Sequence, residues 1–231
     1  MINDIEMMMK KIVVVIAAYN EEKKIKTVVN SVAKYVDLVV VVDDGSKDKT
    51  SDMVSNKKAV VLRHCINLGQ GAALQTGFKY VKKINPEVVV TYDADGQFLA
   101  EEIPLMIKPI LEKKVDVVLG SRFLGKTINM SPIRKHILKL GILFTWIFSE
   151  IKLTDTHNGF RALSKKALES IEITQNRMAH ASEIIDQIKL KNLKYIEVPV
   201  TVKYDDYSNG KGQSSLNSVK IVLELISKKL S

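Results

Sequence analysis

The chain has 231 residues, of which 46% are hydrophobic and 6% aromatic, enough to bury a sizeable core in one domain. Its formal charge is +9, from 35 Lys and Arg against 26 acids, which favours an anionic partner, with nucleic acid, anionic lipid and a phosphorylated substrate all open. One cysteine, Cys65, rules out an intrachain disulfide framework and reads as a small buried hydrophobe.

The opening residues, Met1 to Glu6, lack the basic head and apolar run of a signal peptide, so secretion is not expected. Uninterrupted β-branched runs follow at Ile12–Ala18, Leu38–Val42, Ala59–Leu62, Val88–Tyr92 and Val115–Leu119, and they read as strands buried on both faces. Between them Glu21–Tyr35, Lys49–Asn56, Gly71–Lys83 and Glu101–Lys113 carry apolar residues at helical spacing. The alternation predicts an α/β domain with a mostly parallel sheet, whose ligands gather at the carboxyl ends of the strands. From Gly120 the pattern changes to a loop, an apolar helix, a polar turn at Asp155–Arg161, a helix near Ala181–Lys191, a strand at Tyr195–Val200, a polar segment at Lys203–Ser215 and an amphipathic helix at Leu216–Leu230. The longest apolar stretch, Ile137 to Ser149, is interrupted by Lys139 and falls short of the roughly 20 residues a span needs, so a soluble or peripheral protein is expected.

Polar clusters sit where the strands end. Tyr19-Asn20-Glu21 follows the first, Asp43-Asp44-Gly45-Ser46 the second and Asp93-Ala94-Asp95-Gly96-Gln97 the fourth. Two carboxylates in one turn suit a hard divalent cation that keeps waters and shares phosphate oxygens, although an ordinary Asp-Gly turn has the same composition. A carboxylate at Asp43 or Asp44 can accept from a base or ribose. Helix capping explains Ser46 or Asp48 but not two adjacent acids before them. Between Asp116 and Glu150 there is no acid, while Arg122, Lys126, Arg134, Lys135 and Lys139 are basic. The apolar helix beside this stretch, with Trp146 and Phe148, suits contact with an anionic membrane; a core helix under a solvated basic loop is the alternative.

These motifs, together with Asn67-Leu68-Gly69 and Gly120-Ser121-Arg122, resemble the ordered set of family 2 inverting glycosyltransferases. Asp155-Thr156-His157-Asn158-Gly159-Phe160-Arg161 extends the likeness towards the branch that transfers sugars to polyprenol phosphates, including dolichol. The likeness spans roughly residues 11 to 215. It implies a GT-A fold with a nucleotide-sugar-binding half at 11–120 and an acceptor-side half at 121–231. It implies donor contacts at Ala17, Tyr19, Glu21, Val42, Asp44, Asp93, Ala94 and Asp95, with Arg122 facing the phosphates of donor or acceptor, and a Mg²⁺ or Mn²⁺ site at Asp93, Asp95 and Gln97. Asp155, Asp95 and Arg122 would carry the chemistry. The implied partners are a UDP- or GDP-sugar donor, a lipid-phosphate acceptor and the cytoplasmic face of a membrane. Transfer to another acceptor, in polysaccharide or glycolipid synthesis, is the alternative within the family.

Ala17 stands where this family often has Pro. Where relatives carry an Arg and a Gly-x-Ser-Lys element, this chain has Lys203 and Gly212-Gln213-Ser214-Ser215, with Lys203 and Lys211 as candidates for the diphosphate. Other classes fit less well. Gly69-Gln70-Gly71 would need a glycine at position 74 for a dinucleotide fingerprint, and Leu74 stands there. A basic nucleic-acid-binding module would interleave aromatics with its basic clusters and would not place carboxylates at strand ends. His64, His136, His157 and His180 lack the paired spacing of a zinc site.

Overall fold

The structure is a computed structural model that describes residues 12–149 and 151–205. Seven strands are present: β1 (Ile12–Ala18), β2 (Leu38–Asp43), β3 (Ala59–Arg63), β4 (Val88–Asp93), β5 (Val117–Ile128), β6 (Arg161–Ser164) and β7 (Tyr195–Lys203). The helices are α1 (Ile25–Val32), α2 (Gln70–Ile84), α3 (Ile103–Leu111), α4 (Pro132–Ser149), α5 (Lys165–Ser170) and α6 (His180–Leu190), with a 3₁₀ turn at Ala100–Glu102.

All seven strands form one sheet in the order β3-β2-β1-β4-β6-β5-β7. The pairs β1–β2, β1–β4, β2–β3 and β5–β7 are parallel, and β6 alone runs against its neighbours. The sheet is therefore mostly parallel, and both of its faces are covered. Val14, Ile16, Val39, Val41 and Val90 pack under α1 and α3; Val13, Val15, Val40, Val42 and Val89 pack under α2 and α6. That double burial explains why β1 and β2 read as unbroken valine and isoleucine runs rather than alternating ones. Gly77 lets α2 lie close on the sheet, since a Cβ there would come within 2.3 Å of the Val15 side chain.

Four expectations need correction. Lys49–Asn56 forms turns rather than a helix, because Asp48 accepts from the Thr50 N–H at 3.0 Å and Ser51 donates its hydroxyl to Asp43. Such local side-chain bonds compete with the helical ladder. Residues after Gly120 continue β5 to Ile128 instead of forming a loop; the pairing with β7 breaks between Ser121 and Lys126 and then resumes. Strand β6 and helix α5 were not expected, and β6 inserts between β4 and β5, so the late strands join the same sheet as the early ones. Cys65 is exposed, since it follows an edge strand into a surface loop. Met1 to Glu6, Lys211, Gly212–Ser215 and the helix expected at Leu216–Leu230 lie outside the described residues.

Candidate active site

The loops after β1 and β2 are laced together. The Asn20 N–H donates to Ser46 Oγ at 2.9 Å, the Glu21 N–H to Thr50 Oγ1 at 2.7 Å and the Glu22 N–H to Asp48 Oδ2 at 3.1 Å. In return the Lys47 N–H donates to Asn20 Oδ1 at 2.8 Å and the Lys49 N–H to Glu22 Oε2 at 3.1 Å. Gly45 sits at φ 71°, and a Cβ there would come within 2.5 Å of the Ile66 carbonyl carbon, so the turn needs glycine.

The two acids of this loop face different tasks. Asp43, fully buried, accepts from the Ser46 N–H at 2.9 Å and from the Ser51 hydroxyl, with Arg63 Nε 3.6 Å away, so it braces the turn. Asp44, 2% exposed, accepts from the Leu68 N–H at 2.9 Å and the Gly69 N–H at 2.7 Å. His64 Nδ1 lies 2.7 Å from Asp44 Oδ1, and its Nε2 lies 2.9 Å from Thr76 Oγ1. Three of the four lone-pair positions of this carboxylate are thus met by protein. Gly45, Ser46, Arg63, His64 and Cys65 line an adjoining cavity of about 370 Å³.

Beside them β4 ends in the acidic turn. Asp93 Oδ1 accepts from Gln70 Nε2 at 3.0 Å, and Gly159 presses on the same carboxylate so closely that a Cβ there would lie 2.4 Å from Oδ2. Burial raises the Asp93 pKa, while the Arg161 and Arg122 guanidinium groups pull it down. Asp95 Oδ1 accepts from the Gln97 N–H at 3.0 Å. Its pKa is pushed up to about 7, first by burial and then by the neighbouring Asp93 charge. Two crowded carboxylates at a strand end are a fitting oxygen donor set for a hard cation, which would relieve their repulsion. Among the described residues no group of three or more His, Cys, Asp or Glu is arranged to hold a metal unaided. The remaining coordination positions would fall to a side-chain amide, water or substrate.

Arg122, on β5, meets Asp155 across 33 residues. Its backbone N–H and Nε donate to Asp155 Oδ2 at 3.0 and 2.6 Å, its Nη2 to the His157 carbonyl at 2.8 Å and its Nη1 to Tyr204 Oη at 2.7 Å. Burial alone would lower the Arg122 pKa, but Asp155 and Tyr204 outweigh it and hold the group firmly charged. Glu197 braces the same turn by accepting from Thr154 N–H and from Asp155 N–H at 3.0 Å. The acidic turn is tied to β7, where the Lys203 N–H donates to the Gln97 carbonyl at 2.9 Å and Phe98 bridges Val202, and the ion pair reaches the next residue through the Arg122–Tyr204 bond.

The family model of glycosyl transferase family 2 matches residues 13–172. The chain belongs to glycosyl transferase family 2. It is 36% identical over 218 residues to an uncharacterised protein of Methanocaldococcus jannaschii, covering 92% of this chain and 90% of that one. It is 33% identical over 235 residues to a UDP-N-acetylglucosamine–dolichyl-phosphate N-acetylglucosaminyltransferase of Methanococcus voltae, covering 92% of this chain and 94% of the other. Among solved structures, glucosyl-3-phosphoglycerate synthase of Mycobacterium tuberculosis, in complex with Mn²⁺ and UDP-glucose, superposes with a TM-score of 0.72 at 18% identity, over 98% of this chain and 80% of that one. That likeness is one of fold: the chain is a glycosyltransferase with the GT-A fold expected from its motifs.

Within this family 2 domain, Ala17, Tyr19, Glu21, Asp44, Asp93, Ala94, Asp95, Gln97, Arg122 and Asp155 all fall at or just beyond the carboxyl edge of the sheet. Tyr19 is 40% exposed and Lys203 is exposed, whereas Glu21 and Ala94 are buried. Val42 is fully buried, with its side chain in the core against Gly77 and its backbone between β1 and β3. His64, Gln70, Gly159, Glu197 and Tyr204 were not singled out as site residues from the sequence. The signal for Tyr204 was present, since Val198, Val200, Val202 and Tyr204 alternate as buried positions. His64 and Gln70 carried no signal, because their partners are 20 and 23 residues away.

Proposed function

We propose that this glycosyltransferase moves a hexose from a UDP- or GDP-sugar to a polyprenyl or dolichyl phosphate, with inversion at the anomeric carbon and a requirement for Mg²⁺ or Mn²⁺. The carrying observation is that the Asp93–Asp95 turn, bonded at Gln97 to Lys203, and the Arg122–Asp155 pair, bonded through Arg122 to Tyr204, both attach to neighbouring residues at the end of β7. The dolichyl-phosphate and undecaprenyl-phosphate transferases among the relatives support the acceptor class, and the Methanococcus voltae name makes a UDP-sugar the first donor to test.

In this reading the 11–120 half holds the donor and the 121–231 half the acceptor. Tyr19 and Glu21 flank the nucleoside, and the fourth lone-pair position of Asp44 takes a base N–H or ribose hydroxyl. Asp93 and Asp95, with Gln97, would hold the cation, which would supply positive charge against the departing diphosphate. Arg122 spends three of its five N–H donors on protein and keeps two for phosphate oxygens. An acceptor phosphate oxygen forms the new bond to the anomeric carbon as the bond to the diphosphate breaks. That oxygen is already anionic at neutral pH, so Asp155, clamped by Arg122, orients rather than deprotonates. Lys203 and Lys211 are the candidates for neutralising the diphosphate.

Helix α4 supports action at a membrane surface. Ile133, Leu140, Leu143, Trp146 and Ile147 are exposed on it, at 71%, 66%, 46%, 44% and 61%, and Lys135 and Lys139 are exposed beside them. A core helix would bury that face. Among the described residues no helix is long and apolar enough to cross a membrane. Incubation with a panel of UDP- and GDP-sugars and polyprenyl phosphate, reading released nucleotide and lipid-linked sugar, tests the reading. Turnover only with a soluble acceptor would replace the lipid phosphate.

A further inference from the structure

Tyr204 lies one residue beyond β7, is 1% exposed, and touches two cations of the acid-free stretch at once. Its hydroxyl accepts from Arg122 Nη1 at 2.7 Å, and Arg134, in the first turn of α4, sets its guanidinium carbon 4.7 Å from the centre of the same ring. Arg122 does not form the two-pronged fork with a carboxylate that arginine usually prefers. Only Nε reaches Asp155, while Nη2 goes to a carbonyl and Nη1 to the tyrosine. The three bonds point in three directions, so together they fix the plane of the guanidinium, and Tyr204 supplies the one that comes from outside the Asp155–His157 turn. The N–H of Tyr204 donates to the Ile128 carbonyl at 2.9 Å, which ties its backbone to the end of β5.

We propose that Tyr204 is a positioning residue for acceptor binding: its hydroxyl sets the plane of Arg122 and its ring seats Arg134, so that the two guanidinium groups present a fixed pair of donors to an anionic oxygen cluster. This rests on the proposed function and takes the phosphate oxygens that Arg122 meets there to be the acceptor's. Loss of the hydroxyl leaves Arg122 charged and in place, held by two of its three side-chain bonds and less tightly fixed. The expected effect is on acceptor KM rather than on donor KM.

The test uses the full chain and the variants Tyr204→Phe, Tyr204→Leu and Arg122→Lys, with a short-chain polyprenyl phosphate in detergent as acceptor. Tyr204→Phe should raise acceptor KM about tenfold while donor KM stays within twofold, and Tyr204→Leu, which also removes the ring under Arg134, should raise it further. Nitrogen-15 NMR gives a readout free of substrate: the slowly exchanging Nη signals of Arg122 in the parent should exchange measurably faster in Tyr204→Phe as one of the three bonds that hold the guanidinium is lost. If Arg122→Lys leaves acceptor KM unchanged, the reading of Arg122 as an acceptor contact fails, and the NMR signals alone then decide whether Tyr204 positions it. Parental acceptor KM together with an unchanged Nη exchange rate in Tyr204→Phe, whatever its melting temperature, overturns the proposal.

Discussion

The two sides of the site are built by different means. On the side formed by β1, β2 and β4, the loops are held by side chains bonding to backbone groups of the adjoining loop, as in the five bonds between Asn20–Glu22 and Ser46–Thr50. On the side formed by β5, β6 and β7, side chains hold one another across long separations: Arg122 to Asp155 over 33 residues and to Tyr204 over 82. The first design fixes backbone shape and leaves carboxylates at its rim. The second fixes the direction of a charge. Chemistry at the first side should therefore fail when a rim carboxylate is lost, whereas the second side should lose stability and orientation together.

Substitutions can break this contrast. Asp95→Asn should lower turnover about a thousandfold, the size of several kcal/mol of lost charge stabilisation, with the far-ultraviolet circular dichroism unchanged. Asp155→Ala should instead destabilise the fold by about 3–5 kcal/mol in urea titrations, because it strands a buried Arg122 whose side chain is 7% exposed. If Asp155→Ala matches the parent in stability, the ion pair does not hold the second side together.

Asp44→Ala lies between these extremes. Losing a hydrogen bond to a carboxylate costs roughly 1.5–3 kcal/mol, so calorimetry should show about ten- to a hundredfold weaker binding of the nucleotide sugar. Unchanged affinity would leave Asp44 as a brace for Leu68 and Gly69 only.

Stability against pH sharpens the picture of the acidic turn. Asp95 has a folded pKa of about 7, above its ordinary 3.8, so the folded state binds more protons than the unfolded one across that window. Its contribution to the stability of the metal-free protein therefore falls as pH rises from about 4 to 7. The difference in melting temperature between Asp95→Asn and the parent should grow across the same range in favour of the variant. A constant difference would place Asp95 in an ordinary solvated setting.

The smallest expected effect concerns the membrane. Arg134→Glu with Lys135→Glu should weaken sedimentation with anionic liposomes, since each basic residue near such a surface contributes roughly 1 kcal/mol, and salt should weaken the parent in the same way. Trp146 emission should shift blue on binding. No change in either signal would remove α4 from the interface.

The same contrast explains what the sequence showed. Strands β1, β2 and β4 announce themselves because burial on both faces demands unbroken apolar runs, and their terminal acids follow directly. The turn at Lys49–Asn56 was hidden because its apolar spacing is helical while Asp48 and Ser51 compete for the hydrogen bonds. Strand β6 is four residues long and begins on Arg161, so no periodicity marks it. The motif around Asp155 was legible through family resemblance, but the pairing that gives it meaning was not. Arg122, Asp155 and Tyr204 are brought together by strand order, and a single sequence carries no local signal for which distant side chains meet. Even the alternation that ends on Tyr204 tells only that the ring is buried.

The most direct test of metal-dependent transfer is to strip the protein with EDTA and supply a UDP-sugar and polyprenyl phosphate, then add Mn²⁺ or Mg²⁺. The account predicts no lipid-linked sugar before the cation is added and steady formation afterwards, with the anomeric configuration opposite to that of the donor. Full turnover in EDTA would contradict it.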